Sequence, residues 1–205
     1  MRRVFISYHH KNEQYLKDEL LVINSAAKIF IDCSVAVGDI DEDLEPQVIR
    51  QTIRREYLSE STVLILLVGR ETQYRKHVDW ELYSSMYNGS KFGRSGVVVL
   101  LAPDCESRYC TAPSKDIKNS LYSQVTSWVT VNSRDEFERR YEYMPPRIID
   151  CLVKGGGNIS VTNWSKVVED PDYLRVLIES AHETRGKSNY DMSREMRMRN
   201  FNPVE

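Results

Sequence analysis

The sequence has no apolar run long enough to cross a bilayer. Its longest, Val63 to Val68 and Val97 to Ala102, fall far short of the roughly 20 residues of a helical span and read as buried strands, so no membrane association is expected. Cysteine is scarce. Cys33, Cys105, Cys110 and Cys151 are too few and too scattered for a disulfide scaffold and are expected as structural thiols. Cys105 and Cys110 lack the histidine or second cysteine pair that would complete a zinc site, so no metal is expected. No charge is in excess: 28 Lys and Arg face 30 Asp and Glu, for a formal net charge of −2, which leaves no basic field to hold a nucleic-acid backbone. Glycine signatures are also missing. Without G-x-G-x-x-G after the first strand, a Walker-type loop or a G-x-S-x-G elbow, standard dinucleotide-binding dehydrogenases, nucleotide hydrolases and α/β-hydrolases are all unsupported. Met1-Arg2-Arg3 runs into a strand-like stretch with no signal-peptide pattern, and the expected location is cytoplasmic.

The 205 residues are 41% hydrophobic and 28% charged, enough to build a full core. Val4 to Tyr8 reads as a first strand that ends in the polar cluster His9 to Asn12. Leu16, Leu20, Ile23 and Ala27 then recur at helical spacing. Lys28 to Cys33 reads as a second strand, and the acidic stretch Gly38 to Glu45 reads as a candidate lid before Pro46 opens a helix carrying Val48, Ile49, Ile53 and Tyr57. Thr62 to Val68 reads as the central strand, Val78 to Asn88 as a helix, Val97 to Ala102 as a fourth strand and Ser127 to Val131 as a fifth. Arg147 to Lys154 and the stretch after Pro171 read as further helices, Gly155 to Gly157 as a hinge or turn, and the polar residues after His182 as a mobile tail. Apolar strands alternating with helices imply a three-layer α/β fold around a five-strand parallel sheet in flavodoxin-like order. The expected division is a domain over 1–153 and a C-terminal extension with one helix over 154–205.

In such a sheet, ligands bind beyond the carboxyl ends of the strands where strand order reverses, here between the first and third strands. The crevice would draw on Tyr8 to Gln14, Gly69 to His77 and the helix from Val78. On a helical wheel Glu81 lies beside Val78 on the apolar half; it reads either as a sheltered functional carboxylate or as a border residue paired with Arg70 or Arg75. Trp80, Tyr83 and Tyr87 fall together on the other side and suggest a self-association surface, hence a homo-oligomer. His9 and His10 leave the first strand at the crevice, where they read either as proton-moving groups or as a solvated turn.

These residues carry a resemblance. Arg3-Val4-Phe5-Ile6-Ser7-Tyr8-His9 resembles the first strand and loop of Toll/interleukin receptor (TIR) domains. Val63 to Gly69, followed by Thr72 and by Val78-Asp79-Trp80-Glu81, resembles their third strand and glutamate-bearing helix. The chain is similar in particular to the bacterial TIR-like group that includes the Thoeris anti-phage signalling proteins, over residues 2 to 131 and more loosely from Met144-Pro145-Pro146-Arg147 onward. That likeness implies NAD as substrate with no added cofactor, release of nicotinamide, and an ADP-ribose-derived signal, cyclic or conjugated, that reaches a partner effector. It also implies a catalytic role for Glu81 and substrate-binding roles for Ser7, Tyr8 and His9; Asp32 and His77 are expected to bind substrate beside them. The segment Ser34 to Glu45 would correspond to the loop that governs access and assembly. The chain departs from the family pattern at His77, which stands four residues before the glutamate where relatives commonly place Trp.

Two other classes remain open. One is a TIR adaptor that only binds partners; the other is a different glycosidic-bond enzyme, such as a nucleoside deoxyribosyltransferase, which would also need a crevice glutamate. Asp32 ends the second strand, but a response-regulator site lacks the acidic cluster and the strand-three aspartate that hold magnesium.

Overall fold

In a computed structural model of the chain, residues 1–34 and 44–201 are described. Most of the segment read as a lid, and much of Ser34 to Glu45, lies outside them. Five strands, β1 (Arg2–Ser7), β2 (Phe30–Asp32), β3 (Val63–Val68), β4 (Gly96–Leu101) and β5 (Ser160–Asn163), form one all-parallel sheet in the order β2-β1-β3-β4-β5. This is the expected flavodoxin-like order, with its reversal between β1 and β3.

Strand period sorts the core into two layers. Val4 and Ile6 of β1, Val63, Ile65 and Leu67 of β3, and Val98 and Leu100 of β4 pack on one face with α1 (His10–Ala27), α4 (Lys115–Leu121) and α8 (Pro171–Thr184). Phe5, Leu64, Leu66, Val68, Val97, Val99 and Leu101 face the other layer, built from α2 (Pro46–Thr52), α3 (Lys76–Met86), α5 (Arg134–Arg140) and α6 (Pro146–Lys154). Every residue of β3 and β4 is buried, as helices on both faces of a parallel sheet require. α8 lies so close to β4 that a Cβ on Gly96 would collide with the Ala181 backbone. Among the described residues no helix is long and apolar enough to cross a membrane.

Three expectations change. The fifth strand is Ser160–Asn163, not Ser127 to Val131. The latter stretch is irregular chain whose Trp128 packs edge-on against Tyr122, under Lys118, so its β-branched residues never pair. Residues beyond 154 therefore supply the edge strand, α7 (Trp164–Glu169) and α8, with Gly155 and Gly156 making the left-handed turn that leads into them. The polar stretch after His182, expected to be loose, is docked through Phe201: Tyr190 and Met196 are buried, and the Tyr190 hydroxyl donates to the Ser95 carbonyl.

The docked tail also corrects the reading of the aromatic stripe. Trp80 is fully buried and its Nε1 donates to the Arg197 carbonyl at 2.6 Å, while Arg147 covers Tyr83 and Arg50 covers Tyr87. Trp80 is thus covered by the chain's own tail and is not part of a surface for a second copy.

Candidate functional site

Ser7 is the last residue of β1 and shares the parity of Phe5, so its side chain faces the α3 layer at the carboxyl end of the sheet. There its hydroxyl donates to Glu81 Oε2 at 2.6 Å. Glu81 sits in the second turn of α3 and is only 4% exposed. Neither arginine proposed as its structural partner reaches it: Arg70 pairs with Asp104 and Arg75 with Glu71. Burial is the largest influence on the carboxyl and pushes its pKa up to about 8, against the opposing pull of the Ser7 hydrogen bond and the Lys17 charge. At neutral pH the side chain is mainly a protonated acid held in low dielectric.

Tyr8 turns to the opposite layer, where its ring stacks on His10 at 4.5 Å, its hydroxyl donates to Gln14 Oε1 at 2.7 Å, and the Lys17 ammonium lies 5.4 Å from its centroid. Burial raises the phenol pKa, as do the charges of Asp18, Glu81 and Asp32. Tyr8 thus feels the charges of both Asp32 and Glu81 at one end of the sheet. Asp32 is solvent-exposed at the end of β2 and accepts from the Ser34 amide, while Ser34 Oγ accepts from the Ile6 amide at 2.9 Å. His9 precedes α1 with its Nδ1 3.9 Å from Glu71; burial, then Arg75, lowers its pKa and keeps the ring neutral at pH 7. His77 lies one turn before Glu81 and meets Trp80 edge-on at 5.0 Å. Of the six residues predicted from sequence, the direct hydrogen-bonded pair is Ser7 with Glu81; the other four lie on β2, the loop after β1 and the first turn of α3, and no side chain among them hydrogen-bonds to that pair.

A second buried carboxyl was not legible in the sequence. Glu13, 3% exposed, accepts from the His9 amide at 2.9 Å and from Thr72 Oγ1 at 3.2 Å, and Thr72 Oγ1 also accepts from the Gly69 amide. A Cβ on Gly69 would overlap the Glu13 carboxyl, so the glycine is what lets the loops after β1 and β3 close on each other. Burial raises the Glu13 pKa to about 7, against its hydrogen bonds from Thr72 and His9. Lys17, the cation that reaches both Glu81 and Tyr8, was also missed. The available signal was position: Glu13 and Lys17 are one turn apart on the helix that opens at the crevice.

Asp79, two residues before Glu81, is held very differently. Arg147, fully buried, grips it in a fork, Nε to Oδ1 at 2.8 Å and Nη2 to Oδ2 at 2.9 Å, and also donates to the Arg194 and Glu195 carbonyls. The Arg197 amide donates to the same carboxylate, and Asn200 Oδ1 accepts from the Lys76 amide at the start of α3. Tail and α6 together fix the helix that presents Glu81.

A sequence model of the family described as "Thoeris protein ThsB, TIR-like domain" matches residues 5–109, which span β1 through the loop after β4 and include Ser7, Glu13 and Glu81. No curated protein matches the chain.

Proposed function

The chain belongs to the Thoeris ThsB TIR-like domain family and to its antiviral defence setting, and from that membership we propose that it cleaves NAD at the nicotinamide glycosidic bond and turns the remainder into a signal. The observation that carries this reading is the Ser7–Glu81 pair: a buried carboxyl with an elevated pKa at the crevice where an α/β sheet of this order binds ligands.

The chemistry follows from the charge balance. With its pKa raised to about 8 by burial, Glu81 at pH 7 holds its proton by only a small margin. A pyridinium brought alongside favours the ionised form, so on substrate binding Glu81 gives its proton to solvent and the cationic substrate creates the carboxylate it needs. The C1′–N bond then breaks with its electron pair leaving on nicotinamide, and the ribosyl carbon becomes an oxocarbenium-like centre that the Glu81 carboxylate stabilises. Ser7 holds that carboxylate in place. Tyr8, His9, Asp32 and His77 line the approach, Asp32 to ribose hydroxyls and neutral His9 to a phosphate oxygen. Water as acceptor gives ADP-ribose and a proton. An acceptor atom within the adenosine gives a cyclic product, and a second small molecule gives a conjugate; either reaches a partner effector by diffusion.

The test is to incubate the purified chain with NAD, alone and with lysate of phage-infected cells, and to follow nicotinamide and all ADP-ribose species by mass spectrometry. We expect nicotinamide release that falls at least ~100-fold in Glu81→Gln, which keeps shape but removes the ionisable group. Intact NAD under both conditions, or equal turnover by the variant, overturns the assignment and leaves a binding module.

A further inference from the structure

Away from Glu81, the chain buries two arginines that have no carboxylate partner among the described residues. After α2 the helix widens by one residue, with the Leu58 amide reaching back to the Ile53 carbonyl, and Ile53–Tyr57 forms a π-turn of the kind often retained where a side chain must be re-aimed. This turn points Arg54 into a cavity of about 410 Å³ together with Arg50 from α2, Arg55, Lys91 and the rings of Tyr87 and Phe92. The volume is within the range of about 300–1,000 Å³ usual for small-molecule sites. All the charged groups in the lining are cations.

Arg54 is 7% exposed, and its guanidinium donates only to the neutral Gly93 carbonyl and Ser95 hydroxyl; its Nε has no hydrogen-bond partner. Burial alone lowers its pKa to about 10, with no carboxylate opposing the shift. Arg50 is 8% exposed, lies 3.8 Å from the Tyr87 centroid, and forms no ion pair with any described residue. Arg55 is bonded to Glu56 outside the cavity, and Lys91 stands exposed over Phe92 at the rim. Burying a guanidinium costs several kcal/mol unless an anion offsets it. Arg147 shows how the same chain meets that cost elsewhere, with a carboxylate, two carbonyls and an aromatic face. Around Arg50 and Arg54 the ring and the neutral acceptors are present, and no carboxylate among the described residues supplies the anion.

We propose that the cavity between α2, the π-turn and the end of α3 is a binding site for a small diphosphate-bearing anion, gripped by Arg50 and Arg54 and closed at the rim by Lys91. Guanidinium forks match phosphate oxygens in pairs, whereas a single carboxylate would leave the second arginine unmatched. The reading is independent of NAD cleavage, since it uses no residue of the Glu81 crevice.

The probe is inorganic pyrophosphate, titrated calorimetrically into the full chain at physiological salt. We expect one saturable site with a Kd of about 1 mM or tighter. Arg50→Gln and Arg54→Gln should each weaken it at least ~10-fold. Because a buried arginine can be needed for folding, Lys91→Glu at the exposed rim is the decisive variant, and a loss of about threefold or more is expected there. Ser7→Ala, in the other site, should bind as the unaltered chain does. No saturable binding up to roughly 10 mM, equal binding by Lys91→Glu, or loss of binding in Ser7→Ala would overturn the site.

Discussion

Two acidic residues two positions apart on α3 meet opposite fates. Asp79 turns toward the tail and is forked by Arg147 with a backbone amide added; Glu81 turns toward β1 and receives one hydroxyl. Both sit in the protein interior or at its edge, Glu81 the deeper of the two, and their partners differ. A carboxylate matched by a guanidinium has its charge fixed and serves as a rivet, whereas a carboxyl given one weak donor keeps its proton in play. The helix uses the first to hold the second in place.

Breaking the rivet should produce the largest effect on stability of any single substitution considered. Arg147→Ala leaves Asp79 buried without its cation and two tail carbonyls without donors, which should cost about 3–5 kcal/mol. For a chain of this length that lowers Tm by roughly 10 °C, as calorimetry would read it. Asp79→Asn combined with Arg147→Met should lose less than the sum of the single changes if the fork is the coupled unit described; strict additivity would show that it is not.

Loosening the other partner should affect chemistry more than stability. Ser7→Ala removes the hydroxyl that favours the ionised Glu81, so the carboxyl pKa should rise further and nicotinamide release near pH 7 should drop roughly 10-fold. The sharper readout is the pH profile of kcat/KM. It should climb toward a plateau above about pH 8 in the unaltered chain, and the climb should shift to higher pH in the variant. An unshifted profile would remove Ser7 from its positioning role.

A separate readout is the stability-versus-pH slope. Glu81 and Glu13 have folded-state values of about 8 and about 7, both above the ordinary carboxylate value of 4.5. Below about 4.5 both are protonated in either state and the burial of the neutral forms is unpenalised. Between there and the folded values the unfolded chain releases protons that the folded chain keeps, so stability falls as pH rises and levels off above about pH 8. Glu81→Gln should flatten that decline without abolishing it, because Glu13 remains. Thermal melts from pH 5 to 9 that rise with pH in the unaltered chain would contradict this account.

Legibility followed the same division. β1, β3 and β4 were readable because a strand buried on both faces must be a continuous apolar run, as in Val63 to Val68. Glu81 stood out as an acid on the apolar half of a helix. β5 was hidden because Ser160-Val161-Thr162-Asn163 is short and polar, and Ser127 to Val131 drew the eye with better β-formers that pack by their rings. The tail was opaque for a related reason: its docking rests on backbone carbonyls and amides, such as those of Arg194 and Arg197, which every residue type supplies. Glu13 gave no sign because an acid in the first turn of a helix is ordinary there.

That tail has a consequence in time. The Trp80 indole waits 117 positions for the Arg197 carbonyl and the Lys76 amide waits 124 for Asn200. At a translation speed of about 5–20 residues per second, the helix carrying Glu81 leaves the ribosome roughly 6–25 s before its clamp exists. A nascent chain therefore carries Glu81 on an unbraced helix until the tail that clamps it has been synthesised.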